Sequence, residues 1–162
     1  MILIDTSAWI EFLRDTRSPV CERVDSLLGS RIATCDPLRM EVLAGARDQE
    51  HLVQLRRLLA RATLLPTESI DYDTAATVYR SCRSHGKTVR KLIDCLIAAV
   101  AMRASVPLLH VDEDFTAIAA VTHLRIHGAV TTACRTRKPA GQTRAPQAPP
   151  RRSAESVCAR RD

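Results

Sequence analysis

Five carboxylates stand where this chain otherwise reads as core. Asp5 closes the apolar run Met1-Ile2-Leu3-Ile4, Glu41 sits in a short helical segment, and Asp94 lies inside Leu92-Ile93-Asp94-Cys95-Leu96-Ile97-Ala98-Ala99-Val100. Asp112 and Asp114 follow a further apolar run, Val106-Pro107-Leu108-Leu109-His110-Val111. An ionised carboxylate is costly to bury unless a cation or hydrogen bonds compensate it. No Lys or Arg shares the pattern of apolar burial, so the economical partner is a divalent metal held by oxygen ligands from four separate segments.

Each acid also has a plainer reading. Asp5 is placed to cap a helix opening at Thr6 or Ser7, and Asp is a favoured cap. Glu41 falls in the first turns of its helix, where a carboxylate complements the helix dipole, although its neighbours Leu38 and Gly45 make that face an inward one. Asp94 has the weakest structural explanation. Ala98 and Ala101 share its stripe, and a helix pair with Arg90 contributes little if exposed. One of Asp112, Glu113 and Asp114 caps the next helix, and Asp114 is the choice.

The elements that must position these acids alternate along the chain. Ile2–Ile4 reads as a buried strand, followed by a helix from Thr6-Ser7 with Trp9, Ile10 and Leu13 on one side. Ser18-Pro19 and Asp36-Pro37 are cap-plus-proline signals for helices ending near Gly29 and Gly45. Further strands are expected at 31–34, 62–65, 108–111 and 124–126, with helices over about 50–60, 71–84, 90–103 and 115–121. Short strands separated by helices imply an α/β fold in three layers, a parallel sheet with helices on both faces. Functional groups in such sheets collect beyond the carboxyl ends of the strands. Asp5 and Asp112 both lie just past a strand end.

Composition narrows the class. The 162 residues are 46% hydrophobic, enough for one domain with a real core. No apolar stretch is long enough to span a bilayer and the N-terminus lacks the basic start of a signal peptide, so a cytoplasmic protein without membrane contact is expected. The cysteines (Cys21, Cys35, Cys82, Cys95, Cys134, Cys158) show no C-x-x-C pair, which fits buried free thiols rather than a zinc site. Net charge is +6, but residues 1–130 hold 16 basic and 16 acidic side chains; residues 131–162 carry all of the excess. That Pro/Arg-rich tail has no aromatic residue and no hydrophobic period, and it reads as a disordered appendage.

Taken together, Ile2-Leu3-Ile4-Asp5-Thr6-Ser7-Ala8-Trp9-Ile10, Glu41-Val42-Leu43-Ala44-Gly45, Leu92-Ile93-Asp94-Cys95-Leu96-Ile97-Ala98-Ala99 and His110-Val111-Asp112-Glu113-Asp114-Phe115 resemble a PIN-domain ribonuclease, specifically the VapC toxins of bacterial type II toxin–antitoxin modules. The resemblance covers residues 1 to about 130. It implies a parallel five-stranded sheet and Mg²⁺ dependence with Mn²⁺ as a substitute. It also implies endonucleolytic cleavage of structured RNA such as transfer or ribosomal RNA, and a homodimer inhibited by a cognate antitoxin protein. On this carry-over Asp5, Glu41, Asp94 and Asp112 match the acidic, metal-holding catalytic quartet, with Asp114 an auxiliary position and Ser7 a hydroxyl contact. The basic tail departs from the pattern.

No histidine or lysine occupies a motif position that suits a general base. His110 is near, but its strand position favours a packed, hydrogen-bonded histidine. A metal lowers the pKa of its bound water and so replaces the base. Attack by such a water leaves a 5′-phosphate, whereas attack by the ribose 2′-OH leaves a cyclic phosphate. With 3% aromatic residues, stacking platforms for RNA are scarce; Lys87, Arg90 and Lys91 are the group expected to contact phosphates. Two rival enzyme classes fail on residues. A haloacid-dehalogenase-type phosphatase needs a second Asp at position 7, which is Ser, and a receiver domain needs an Asp closing the third strand, which runs Leu64-Leu65-Pro66-Thr67. The alternative that survives is a catalytically silent module that binds RNA or an antitoxin.

Overall fold

The computed structural model describes residues 1–128; the proposed tail lies outside the described residues. The elements run β1 (Ile2–Ile4), α1 (Thr6–Leu13), α2 (Pro19–Leu27), β2 (Ile32–Cys35), α3 (Asp36–Ala44), α4 (Gln49–Leu59), β3 (Thr63–Leu65), α5 (Ser69–Ser84), α6 (Leu92–Arg103), β4 (Leu108–Leu109) and α7 (Glu113–Ala119). The strands form one parallel sheet in the order β3-β2-β1-β4.

Strand side chains alternate between two cores, as the period of two requires. Leu3, Ala33, Cys35 and Leu108 join buried residues of α5, α6 and α7 on one face. Ile4, Ile32 and Leu109 join Trp9, Val20, Val24, Leu55 and Leu59 from α1, α2 and α4 on the other. Helix α3 serves both, sending Leu38 to the first core and Val42 to the second. The result is the expected three-layer arrangement. Helix α6 is buried nearly all round, with Cys95, Ile97, Ala98, Ala99, Val100 and Ala101 at 1% exposure or less, which explains a helix with so little amphipathic contrast. Cys21, Cys35, Cys82 and Cys95 are buried free thiols, and burial pushes Cys35 and Cys95 up to about 12.

The expected fifth strand is absent as a strand. Of 124–126 only Ile126 pairs, through an isolated parallel bridge to Leu108. The reason lies in β4, which is two residues long. Leu108 N–H donates to Arg125 O (2.9 Å) and Leu108 O accepts from His127 N (2.8 Å), while Leu109 O already accepts from the N–H of Asp5, directly after β1 (2.9 Å). One residue facing outward supports one bridge, not a ladder. The strand stops early because Val111 N–H goes to Ser7 Oγ (3.0 Å) instead of continuing along β1.

Two helix starts also differ from expectation. Asp36 is the first residue of α3 and Cys35 its N-cap; the Asp36 carboxylate instead accepts from Thr67 N (2.8 Å), fastening α3 to the loop after β3. Helix α6 starts at Leu92 rather than Arg90, so Arg90 belongs to the preceding loop and forms no intrahelical pair with Asp94.

A further buried acid, Asp71, drew no attention in the sequence. Arg103 at the end of α6 grips it with Nε to Oδ1 (2.8 Å) and Nη2 to Oδ2 (3.0 Å), and also reaches Glu68 Oε1 (2.9 Å) and Pro66 O (2.6 Å). Burial pushes the Asp71 carboxyl up, but the bonds from Arg103 and the Glu68 backbone, with the Arg103 charge, hold it below the ordinary value. Bidentate pairing of this kind fixes geometry as well as charge. Arg103→Met strands a carboxylate whose side chain is 1% exposed. Because the arginine itself keeps some solvent contact, the expected loss of unfolding free energy is about 2–3 kcal/mol, below the range for a fully buried pair. Urea denaturation at pH 7 measures it; a loss under about 0.5 kcal/mol, the scale of a surface pair, contradicts the assignment.

Candidate active site

The sheet order changes direction at β1, which has β2 on one side and β4 on the other. Ligand crevices form at such switch points, beyond the carboxyl ends of the strands. Asp5 follows β1, Asp112 follows β4, Glu41 lies on α3 directly after β2, and Asp94 is in the first turn of α6. The four expected acids therefore come from the four segments that meet at this edge.

Hydroxyl groups set the first two. Ser7 Oγ donates to Asp5 Oδ2 (2.5 Å) and accepts from Val111 N (3.0 Å), bridging the ends of β1 and β4. The Ser7 backbone N–H also donates to Asp5 Oδ2 (2.8 Å), so Asp5 does cap α1 as well as facing the crevice. Thr6 Oγ1 donates to Glu41 Oε2 (2.8 Å), which draws α3 to the start of α1. Sequence reasoning missed Thr6. The available signal was two consecutive hydroxyl residues directly after the first acid.

Asp94 is the least compensated group. It is 4% exposed, and its Oδ2 has no hydrogen-bond partner. Burial, reinforced by the charges of Asp5, Asp112 and Asp114 and opposed by Lys91, pushes its carboxyl up to about 7. Asp5 moves the same way: burial raises it, the Ser7 bonds pull it down, and the Glu41 charge raises it again. The electrostatic coupling shows that these acids share one field even though they lie far apart in sequence.

The cap of α7 is Asp112, not Asp114 as expected. Asp112 caps α7 by accepting from Asp114 N (3.1 Å), and its Oδ1 also accepts from Arg90 Nη2 (2.6 Å). Asp114 is buried at 4% exposure and takes Arg90 N (2.8 Å) and Arg90 Nε (3.1 Å). The cap goes to Asp112 because it stands in extended backbone immediately before the first helical residue. Arg90, Lys87 and Lys91 are exposed on the loop between α5 and α6, and a groove of about 360 Å³ lined by Ser7, Ile10, Glu11, Arg90, Val111, Asp112 and Glu113 runs beside the acids. His110 packs on Phe115 with ring centroids 5.2 Å apart. Neither ring nitrogen meets a partner at good hydrogen-bond geometry, and burial lowers its pKa against the opposing pull of the Asp112 backbone and charge.

The donors suit a hard divalent cation: all are carboxylate oxygens, and the buried Asp94 Oδ2 is bare. Among the described residues, no three His, Cys, Asp or Glu side chains converge on one point as they stand. Glu41 Oε2 is taken by Thr6, and Asp112 Oδ1 by Arg90 and the Asp114 backbone.

The raised acids give a signed pH dependence. A carboxyl group with a folded pKa above its ordinary value binds protons more readily folded than unfolded, so stability falls as pH rises between the two values. For Asp94 that window runs from 3.8 to about 7. Without metal, Asp94→Asn is expected to melt higher than the parent, by a margin that widens from pH 4 to pH 7 and is level above. Thermal melts in chelator across this range test it; a variant less stable at every pH means that Asp94 is a structural bond, not a strained charge.

Residues 2–121 match the PIN domain family. The ribonuclease VapC11 of Mycobacterium tuberculosis is 45% identical over 129 residues, covering 77% of this chain and 96% of that protein. Solved structures with the same fold include the VapBC2 complex of Rickettsia felis bound to promoter DNA (TM-score 0.64, 14% identity, 78% of this chain and 98% of that one). Another is VapC20 of Mycobacterium tuberculosis, described as a sarcin-ricin-loop-cleaving toxin (TM-score 0.55, 18% identity, 77% and 99%). With four acids gathered at the sheet's switch point and this degree of likeness, the chain belongs to the PIN-domain family, among the VapC ribonucleases.

Proposed function

We propose that this chain is a Mg²⁺-dependent endoribonuclease, with Mn²⁺ a substitute, acting as the toxin of a type II toxin–antitoxin module on structured transfer or ribosomal RNA. The observation that carries the reading is Asp94: a buried carboxylate with one bare oxygen, facing the charges of Asp5 and Asp112. Such a charge does not serve stability, because burying it unpaired is expensive. Likeness to a protein named as a VapC ribonuclease supplies the substrate class, and the description of VapC20 favours ribosomal RNA within it.

Asp5, Asp94, Glu41 and Asp112 are the residues that would hold the ion. Bound there, it supplies a Lewis acid that lowers the pKa of water and offsets charge on the phosphoryl group. Ser7 holds Asp5 to the β4 end, and Thr6 holds Glu41 within reach of it. Lys87 and Lys91 bring positive charge to the rim, where phosphates approach. In-line attack by water predicts a 5′-phosphate on the downstream product.

Solved neighbours include VapBC complexes, among them VapBC-1 of Haemophilus influenzae. That likeness supports a cognate antitoxin as partner; the uncompensated acids suit a basic side chain from it, and a homodimer belongs to the same proposal. No helix among the described residues is long and apolar enough to cross a membrane. The second reading, a silent RNA- or antitoxin-binding module, draws on the occupied oxygens of Glu41 and Asp112.

Cleavage of total RNA by the purified chain with Mg²⁺ decides between them. Asp5→Asn, Glu41→Gln and Asp94→Asn are each expected to lower the rate by about a hundredfold or more, the scale of several kcal/mol of lost charge stabilisation. Chelator abolishes cleavage, and end-mapping finds 5′-phosphates. Cyclic phosphates with chelator-resistant activity refute the metal mechanism. No cleavage by the parent chain selects the silent module. In cells, expression of the chain arrests growth and the adjacent small gene relieves it.

A further inference from the structure

Arg90 is attached to the acidic crevice in two different ways. At its base the attachment is buried: the backbone N–H and Nε both bind Asp114, whose side chain is 5% exposed. At its tip the attachment is open: Nη2 binds Asp112 Oδ1 at 2.6 Å, on an arginine side chain that is 64% exposed. Asp112 Oδ1 already accepts the α7 cap bond from Asp114 N. One oxygen of the fourth carboxylate therefore carries both interactions, and the guanidinium lies along the groove formed with Ser7, Ile10, Val111 and Glu113.

A buried Asp114 needs a positive partner, and the Arg90 base is sufficient for that. The bond from the tip to Asp112 is not required by burial. It partly neutralises a quartet acid whose side chain is 22% exposed and ties one of its oxygens to the arginine. We propose that Arg90 is a positioning residue that latches Asp112 in the metal-free chain and competes with the divalent cation for that carboxylate. The proposal rests on the metal-dependent reading of the site. Loading the cation exchanges the Nη2 bond for a cation contact while the Asp114 anchor stays, so the arginine remains at the groove with its tip released. Arg90 thereby sets the cation affinity of the resting protein.

Mn²⁺ titration of the full chain without RNA, read by electron paramagnetic resonance of the free ion, tests this. Arg90→Gln is expected to bind Mn²⁺ roughly two- to fivefold more tightly than the parent, the range an exposed ion pair contributes. Arg90→Lys, which keeps the charge but not the planar fork, shifts affinity the same way by less. It serves as the readout if the Gln variant fails to fold, as a circular dichroism melt reveals.

The control is Asp112→Asn. In that background Arg90→Gln should change Mn²⁺ affinity by less than the parent background shows, because the competition runs through Asp112. An equal gain in both backgrounds means that Arg90 acts only as a distant charge and overturns the latch, as does unchanged affinity in the parent background. If neither the parent nor Arg90→Gln binds Mn²⁺, the metal-dependent reading itself fails and the latch with it.

Discussion

Negative charge concentrated at the carboxyl ends of β1 and β4 is the constraint from which the rest of the site follows. Asp5 and Asp94 are both 4% exposed, and burial, reinforced by the charges of their neighbours, pushes both towards the protonated form. A fold optimised for stability would replace such groups with apolar ones of similar volume. Here the cost is kept, and the surrounding structure limits it without cancelling it. Ser7 supplies two donors to Asp5, Thr6 one to Glu41, and Lys91 a distant positive charge to Asp94. Asp94 Oδ2 is left bare. A site with every carboxylate oxygen satisfied would have little to offer a cation.

The same hydroxyls explain local features of the fold. When Ser7 Oγ takes Val111 N–H, β4 ends after two residues and the chain turns so that Asp112 enters the crevice instead of pairing along β1. Leu108 meets Ile126 through one isolated bridge, and among the described residues the sheet has four strands.

Much of this was legible in the residues because burial patterns repeat with simple periods. The apolar run Ile2–Ile4 and the short segment 31–34 marked buried strands, and the cap-plus-proline pairs at Ser18-Pro19 and Asp36-Pro37 located helix starts to within a residue. Asp94 stood out because a lone acid in a run of aliphatic residues has no local explanation. What the sequence hid depends on long-range geometry. Whether Asp112 or Asp114 caps α7 is decided by where β4 lets go of β1. Arg90 looked like a helix partner of Asp94 until the helix was found to begin at Leu92, and its true partners lie 22 and 24 residues away. Asp71 was overlooked for the same reason, since Arg103 is 32 residues distant.

The two arginine-bound acid groups show how similar contacts serve different ends. Arg103 is 29% exposed, holds both oxygens of a fully buried Asp71 and is held in turn by Pro66 O and Glu68. Every bond of that guanidinium points to a fixed partner, and moving it breaks them together. Arg90 is more than twice as exposed and divides its bonds between one buried acid and one partly open acid. Only the second of those can be surrendered without stranding a buried charge. The Arg103 cluster ties the last turn of α6 to the first turn of α5, at the opposite end of α6 from Asp94. The adjustable contact lines the groove beside the acids, where the proposed cation and an RNA phosphate would approach. A nuclease site needs this division: a frame stiff enough to hold repelling carboxylates near one another, and one charged side chain free to change partners when their repulsion is relieved.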